Sequence, residues 1–279
     1  QFAQVPMNLL AGKGKADYVA TGEWSKKAIK EAKALCDVHI AASSEDKNFT
    51  YAPKKFSTRK DAAYLHVCTN ETIGGVEYHQ VPQTDIPLVA DMSSHFLSRP
   101  IEVAKFALIY AGAQKNVGPA GLTIVIVRED LLGKAAKGTP SVMDYKLQAE
   151  ADSMLNTPPT YSTYIAGLVF KWLKALGGVP EIERRNIAKA KLLYDYLDTT
   201  QFYRNPVARE DRSRMNIPFT LHDAKLDEGF LKGAAKEGMV QLKGHRSVGG
   251  MRASIYNAMP IEGVQQLVQY MKDFEAKNG

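Results

Sequence analysis

The sequence predicts an α/β protein: a large domain built on a three-layer, mainly parallel sheet, followed by a smaller α+β domain. Three observations carry that reading. The runs IPLVA (86–90), FALIYAG (106–112) and LTIVIV (122–127) are mainly apolar, as strands covered on both faces are. Alternating with such runs are stretches whose apolar residues recur at helical spacing. From about Phe202 the texture changes to short strands and short helices, the mark of an α+β unit.

Taken in order, residues 1–10 (QFAQVPMNLL) read as the lead-in to a strand or helix, with a further segment expected before Gln1. The turn AGKGKA resembles a phosphate loop but lacks the full GxxxxGK[ST] pattern. ADYVATG is a short apolar run, and a helix is expected over 25–35 with Ala28, Ile29, Ala32 and Leu35 on one face. Trp24 opens that helix, either as a core aromatic or as a platform for a planar ring. VHIAAS (38–43) reads as a strand and 44–60 as a polar surface loop. Residues 62–78 read as strand, polar turn, strand. The turn residues Thr69, Asn70, Glu71 and Thr72 are either a plain β-turn or donors at a strand end, where α/β proteins bind ligands.

The stretch 86–103 begins with a strand that ends in Asp91. A carboxylate there needs a cationic partner or several donors; the alternative is a cap on the turn that follows. Residues 104–127 form two apolar runs around a polar turn in which Lys115 is the one charge. A lysine buried at a strand end without a partner is costly or driven neutral, and a desolvated lysine of lowered pKa is what imine chemistry requires. Asp91 and Lys115 are separated by one helix-and-strand unit, so they can meet on adjacent strands. Beyond lies a helix over 161–176 with Ile165, Leu168, Val169, Trp172, Leu173 and Leu176 on its apolar face. A second helix over 181–198 follows and holds the expected domain boundary, giving a large domain 1–185 and a small domain 186–279.

Composition excludes some function classes. The chain has 279 residues, 45% hydrophobic and 24% charged, an ordinary globular balance. No apolar run approaches the roughly 20 residues of a membrane helix, and no membrane partner is expected. The net charge of +6 raises a nucleic-acid partner, but Lys and Arg are interleaved with Glu and Asp along helices, so an anionic small substrate explains the excess as well. Cys36 and Cys68 fit no CxxC or zinc spacing and the six histidines form no metal pattern. A reduced, cytoplasmic protein with no metal is the simplest expectation.

An aspartate to pair a pyridinium nitrogen and a lysine to bond an aldehyde are the two demands of pyridoxal phosphate. The strings TGEWSKKA, CTNETIGG, ADMSSHFLSRP, IYAGAQKNVGPAGLTIVIVREDLLG, SMLNTPPT and GHRSVGGMRASIYNA run in order through nearly the whole chain. On these the chain closely resembles the phosphoserine aminotransferases, pyridoxal-phosphate enzymes of fold type I, class V. The resemblance implies that Lys115 bonds the cofactor aldehyde, Asp91 pairs its ring nitrogen, Trp24 stacks on the ring, Thr72 hydrogen-bonds it and Gln114 meets its phosphate. It implies that Asn156 and Thr157 reach the cofactor phosphate of a second subunit, so that two active sites are shared in a homodimer. It also implies that Arg252 clamps the substrate α-carboxylate while His245 and Arg246 meet the distal anion; alone, His245 and Arg246 would read as a surface basic pair. The implied reaction is transamination between L-glutamate and 3-phosphohydroxypyruvate, giving 2-oxoglutarate and O-phospho-L-serine in serine biosynthesis. Formation of 4-phosphohydroxy-L-threonine in pyridoxine biosynthesis accompanies it in bacterial members.

Members of that family carry roughly 80 further residues before the position of Gln1, including a Gly-rich turn whose backbone amides grip the cofactor phosphate and a His-Arg pair lent to the partner's pocket. A second expectation therefore stands beside the first: a catalytically impaired fragment or scaffold of the same fold.

Overall fold

The computed structural model describes residues 1–279. A short helix α1 (Gln4–Leu9) leads into β1 (Lys15–Ala20), α2 (Glu23–Lys33) and β2 (Asp37–Ser43). Next come β3 (Leu65–Cys68), the small hairpin β4 (Asn70–Glu71) and β5 (Val76–Glu77), and then β6 (Leu88–Asp91), β7 (Leu108–Gly112) and β8 (Thr123–Val127). Six of these strands form one sheet in the order β2-β1-β3-β6-β7-β8. Every neighbouring pair is parallel except β7–β8, which is antiparallel. The strands β3, β6 and β7 therefore end on one edge, with Cys68 opposite Asp91 and Asp91 opposite Tyr110.

The alternation of side chains along these strands makes three layers. Tyr18, Val89, Leu108 and Tyr110 face a core that includes Ala28, Ile29 and Ala32 of α2. Val19, Leu65, Val67, Leu88, Ala90, Ile109 and Ala111 face the other way, against Met92, Phe96 and Ala166. Both faces being covered explains why these strands read as unbroken apolar runs. The helix predicted over 25–35 starts and stops two residues earlier. Its first turn is set by Ser25, whose Oγ accepts from the Thr21 and Gly22 amides at 2.8 and 3.0 Å, and Lys30 and Lys33 in its last turn suit the dipole's negative end.

The loop 44–60 is more than surface. The Arg59 guanidinium bonds the fully buried Asp17 at 2.8 Å and Asp37 at 2.6 Å, clamping β1 to β2, while Lys54 pairs with Asp211 far along the chain. A charged loop residue can be structural when it supplies the counter-ion that a buried strand carboxylate needs.

Beyond β8 the chain forms α3 (Tyr145–Glu150), α4 (Thr160–Ala175) and α5 (Gly178–Leu197). The apolar face expected of α4 is only partly buried. Ser162, Ala166 and Leu173 pack inward, but Leu168 and Trp172 are 42% and 38% exposed, and Tyr161 and Tyr164 more so. Only a narrow stripe of α4 meets the sheet layer, and periodicity cannot say how wide the opposing surface is. A third core gathers Ala190, Leu193 and Leu197 of α5 with β9 (Tyr203–Arg204), β10 (Asn216–Leu221), α6 (Asp227–Lys236), β11 (Met251–Ser254) and α7 (Ile261–Asn278). Its antiparallel sheet runs β11-β10-β9.

The hairpin β4–β5 turns at Gly75, whose φ of +72° favours glycine. A Cβ there would lie 2.3 Å from Cδ of Pro218 and 2.8 Å from the Asn216 carbonyl oxygen. Gly75→Ala therefore meets both a backbone penalty and backbone-anchored neighbours. It is expected to lower the urea unfolding midpoint by an amount equivalent to about 1–3 kcal/mol; an unchanged midpoint would show that the hairpin relaxes away from β10 freely.

Candidate active site

The strand-end edge of the large sheet opens into a cleft of about 440 Å³. Trp24, Thr72, Asp91, Gln114 and Lys115 line it together, with Asn70, Ser93 and Tyr110 among the other lining residues. Five residues singled out from sequence thus converge, contributed by α2, the hairpin, β6 and the turn after β7.

Asp91 ends β6 and is 7% exposed. Its Oδ1 accepts from the Ser93 amide at 2.9 Å, so it does cap the following turn. That bond uses one oxygen, and no Lys, Arg or His forms an ion pair with the carboxylate. Burial pushes the Asp91 carboxyl above its ordinary range, with the Ser93 donors pulling it back in part. The groups behind it are neutral: burial holds His95 down to about 4 and His66 to about 3. His66 Nε2 bonds the Tyr110 hydroxyl at 2.9 Å and His95 Nε2 bonds Thr69 Oγ1 at 2.6 Å. Thr69 in turn donates from both its amide and its hydroxyl to the Asp91 carbonyl. Asp91 is therefore held rigidly at the cleft with no ion pair to any side chain; the Gln1 ammonium, also in the cleft lining, acts on it through space.

Lys115 is not the deeply buried lysine that its place in the sequence predicts. It sits half-buried in the turn beyond β7, with no carboxylate partner, and its Nζ lies 5.6 Å from the centre of the Tyr256 ring. The turn itself is fixed. The Val117 and Gly118 amides both donate to the Ala113 carbonyl, and Asn116 donates to the Phe96 carbonyl at 3.0 Å while accepting from the Asn257 amide at 3.0 Å. The anchoring is in the backbone, which leaves the amine free to reach into the cleft. Gln114 folds back over Gly112, where a Cβ would approach its Oε1 to 2.7 Å.

Thr72 is 5% exposed at the start of the hairpin turn. Trp24 presents its ring to the cleft, with the Lys27 Nζ 4.3 Å from the ring centre. Cys68 also lines the cleft, but burial pushes its thiol well up, so it stays protonated.

The other predicted residues lie elsewhere. Asn156 and Thr157 are exposed, in the turn before α4. His245 and Arg246 sit in the loop before β11, with His245 Nδ1 2.8 Å from Ser247 Oγ. Arg252 is on β11, and its buried Nε has no hydrogen-bond partner. None of these five lines the cleft. Sequence reasoning missed Tyr256, Asn116 and Asn257, which join the loop after β11 to the lysine turn, because no local pattern marks a contact between such distant segments. It had Asn70 and Glu71 only as members of a turn; Asn70 spans to Ser94 at 2.7 Å and to Asn216 at 2.9 Å.

The geometry meets the requirements of a pyridine aldehyde cofactor: a buried carboxylate with no side-chain ion pair, a primary amine at the neighbouring strand end, an indole ring and a cleft of suitable volume. Comparison with known proteins agrees. The family model for class-V aminotransferases matches residues 1–267. Phosphoserine aminotransferases from Aromatoleum aromaticum and Nitrosomonas europaea are 61% and 62% identical, aligned over 100% and 99% of this chain and 79% and 78% of their own length. Among solved structures, the phosphoserine aminotransferase of Bacillus circulans subsp. alkalophilus superposes with a TM-score of 0.97 at 47% identity, over all of this chain and 78% of that one. The enzyme of Trichomonas vaginalis, solved with pyridoxal phosphate bound, gives 0.92 at 40% identity, over 98% and 79%. The chain belongs to the class-V aminotransferases, pyridoxal-phosphate-dependent enzymes, and within them to the phosphoserine aminotransferases.

Proposed function

We propose that this chain transfers the amino group of L-glutamate to 3-phosphohydroxypyruvate, giving 2-oxoglutarate and O-phospho-L-serine. The observation that carries the reading is the pairing, in one cleft, of a buried Asp91 that has no side-chain ion pair with Lys115 one strand away. Pyridoxal phosphate bound there supplies an aldehyde to take up the amino group and a ring that withdraws electrons from the substrate Cα. Lys115 Nζ is the amine that would hold that aldehyde and would act as base and acid at the substrate Cα. Asp91, ionised once it faces a cationic ring nitrogen, keeps the proton on that nitrogen. Trp24, Thr72 and Gln114, which line the same cleft, would cover the ring, donate to it and hold part of the phosphate.

Arg252 is the proposed α-carboxylate clamp. Its unsatisfied Nε supports this, since a guanidinium fork suits a planar carboxylate. His245 and Arg246 in the loop before it would take the distal anion, carboxylate in one half-reaction and phosphate in the other. Arg252→Lys is expected to raise KM for both substrates about 10- to 100-fold, the worth of a charged hydrogen bond, with a smaller change in kcat; steady-state kinetics with each substrate varied in turn would expose an unchanged KM and remove Arg252 from the clamp.

We further propose a homodimer with shared sites. Asn156 and Thr157 face away from their own cleft, and the neighbouring α4 leaves Tyr161, Tyr164, Leu168 and Trp172 uncovered, an apolar set that suits burial between subunits. We divide each subunit into a large domain 1–185 and a small domain 186–279, each with its own core. No helix is long and apolar enough to cross a membrane, and both cysteines are free thiols, which suits the cytoplasm. Release of 2-oxoglutarate from glutamate, dependent on 3-phosphohydroxypyruvate, tests the proposal; turnover with neither compound would refute it.

A further inference from the structure

The carboxylate of Glu71 is the least expected group near the cleft. It is fully buried and forms no ion pair with any cation. Burial pushes its carboxyl up, and the donors at Ser25 and Trp24 bring it back in part. Both oxygens are used on one element: Oε2 accepts the Trp24 amide at 3.0 Å and Oε1 the Ser25 amide at 2.9 Å. These are free amides of the first turn of α2, and the fixed carboxylate also meets the positive end of that helix's dipole. The fit is tight, since a Cβ on Gly22 would stand 2.7 Å from Glu71 Cδ.

A local cap would satisfy those amides without burying a charge, and Ser25 already serves Thr21 and Gly22. What Glu71 adds is a link between elements far apart in the chain. Its own backbone is paired in the hairpin, Glu71 opposite Val76, and the next residue is Thr72, which lines the cleft. The residue whose amide it holds is Trp24, which lines the cleft from the other element. We propose that Glu71 is a positioning residue for the Trp24 ring, fixing it at a set height against the hairpin that carries Thr72, with Gly22 the position that lets the carboxylate in. The inference rests on the reading of Trp24 as the ring-stacking residue.

The test is a double-mutant cycle read by cofactor affinity, from absorbance titration of pyridoxal phosphate into the full-length protein stripped of cofactor. Trp24→Ala is expected to weaken binding about 10- to 100-fold, the scale of losing a ring stack. Glu71→Gln keeps the shape but turns an NH2 toward one of the two amides, and is expected to weaken binding about 3- to 30-fold, the scale of a lost cap. In the Trp24→Ala background Glu71→Gln should change affinity by less than about twofold, because the group it positions is gone. A merely structural carboxylate would weaken binding equally in both backgrounds, which overturns the proposal while leaving Trp24 in place. No effect of Glu71→Gln in the parent overturns it too. No effect of Trp24→Ala refutes the ring-stacking reading itself. Should Glu71→Gln fail to fold, Gly22→Ala, which crowds the same carboxylate, takes its place in the cycle with the same expected pattern.

Discussion

Lys115→Ala is expected to abolish transamination and to leave a protein that still folds. The substitution removes an amine that makes no ion pair, so the fold loses only a half-buried side chain against Tyr256. The turn around it is held by Asn116 and by the amides of Val117 and Gly118, none of which involves the lysine side chain. The chemical loss is large. In the proposed role one group would supply both the covalent hold on the aldehyde and the proton transfer at Cα, and such a proton transfer alone is worth about 10²–10⁴-fold. Borohydride treatment of the cofactor-loaded protein followed by peptide mass analysis should label Lys115 in the parent and nothing in the variant. A variant with more than about 1% of parental turnover, below the smallest loss this role allows, would remove Lys115 from the mechanism.

Asp91→Asn should separate two effects of the same side chain. The amide oxygen can still accept from the Ser93 amide, so the turn survives. It cannot hold a proton on a ring nitrogen as a carboxylate does, and the loss of one preorganised electrostatic contact of this kind costs about 10²–10³-fold in kcat. Stability should move the other way in the cofactor-free protein. The folded-state pKa of Asp91 is raised, so near its titration range the folded state binds more protons than the unfolded state. Stability from this group is present below the ordinary carboxyl pKa and is lost as pH rises through the raised one. At neutral pH the charged Asp91 is thus a burden on the cofactor-free fold, and Asn relieves it. Melting curves at pH 7 should show the cofactor-free variant at or above the parent, with a smaller rise than the parent's on adding pyridoxal phosphate. A cofactor-free variant melting well below the parent, or unchanged turnover, would contradict this account of Asp91.

Much of this site is legible from the chain alone because parallel sheets make strand ends converge. Apolar runs stopping at Asp91 and just before Lys115 are enough to bring the two to adjacent strand ends. The misreadings have a common physical origin, since local pattern reports the period of an element but not the extent of what faces it. Lys115 lies in the turn where the sequence places it, but half-buried beside the cleft, so its exposure does not follow that of the apolar run before it. The outer residues of α4 satisfy a helical period yet find no opposing layer. Arg59 sits in a polar loop whose structural part depends on Asp17, a buried carboxylate that sequence cannot show to be buried. Glu71 looked like a turn residue because its partners, Trp24 and Ser25, lie on another element.

The helix α5 packs against both halves of the chain, which also meet directly through Asn70–Asn216 and Asn116–Asn257. Ile182 and Asn186 are buried near its start, where Asn186 bonds the Ser98 carbonyl and the Asn257 side chain. Ala190, Leu193 and Leu197 near its end belong to the C-terminal core. Between them the buried Lys189 donates to the carbonyls of Ile255 and Tyr256 at 3.0 and 2.7 Å. One uninterrupted helix is thus a cooperative element common to both halves. Melting either core strips α5 of half its packing and frays the other, so heat or denaturant should take the chain apart in a single step.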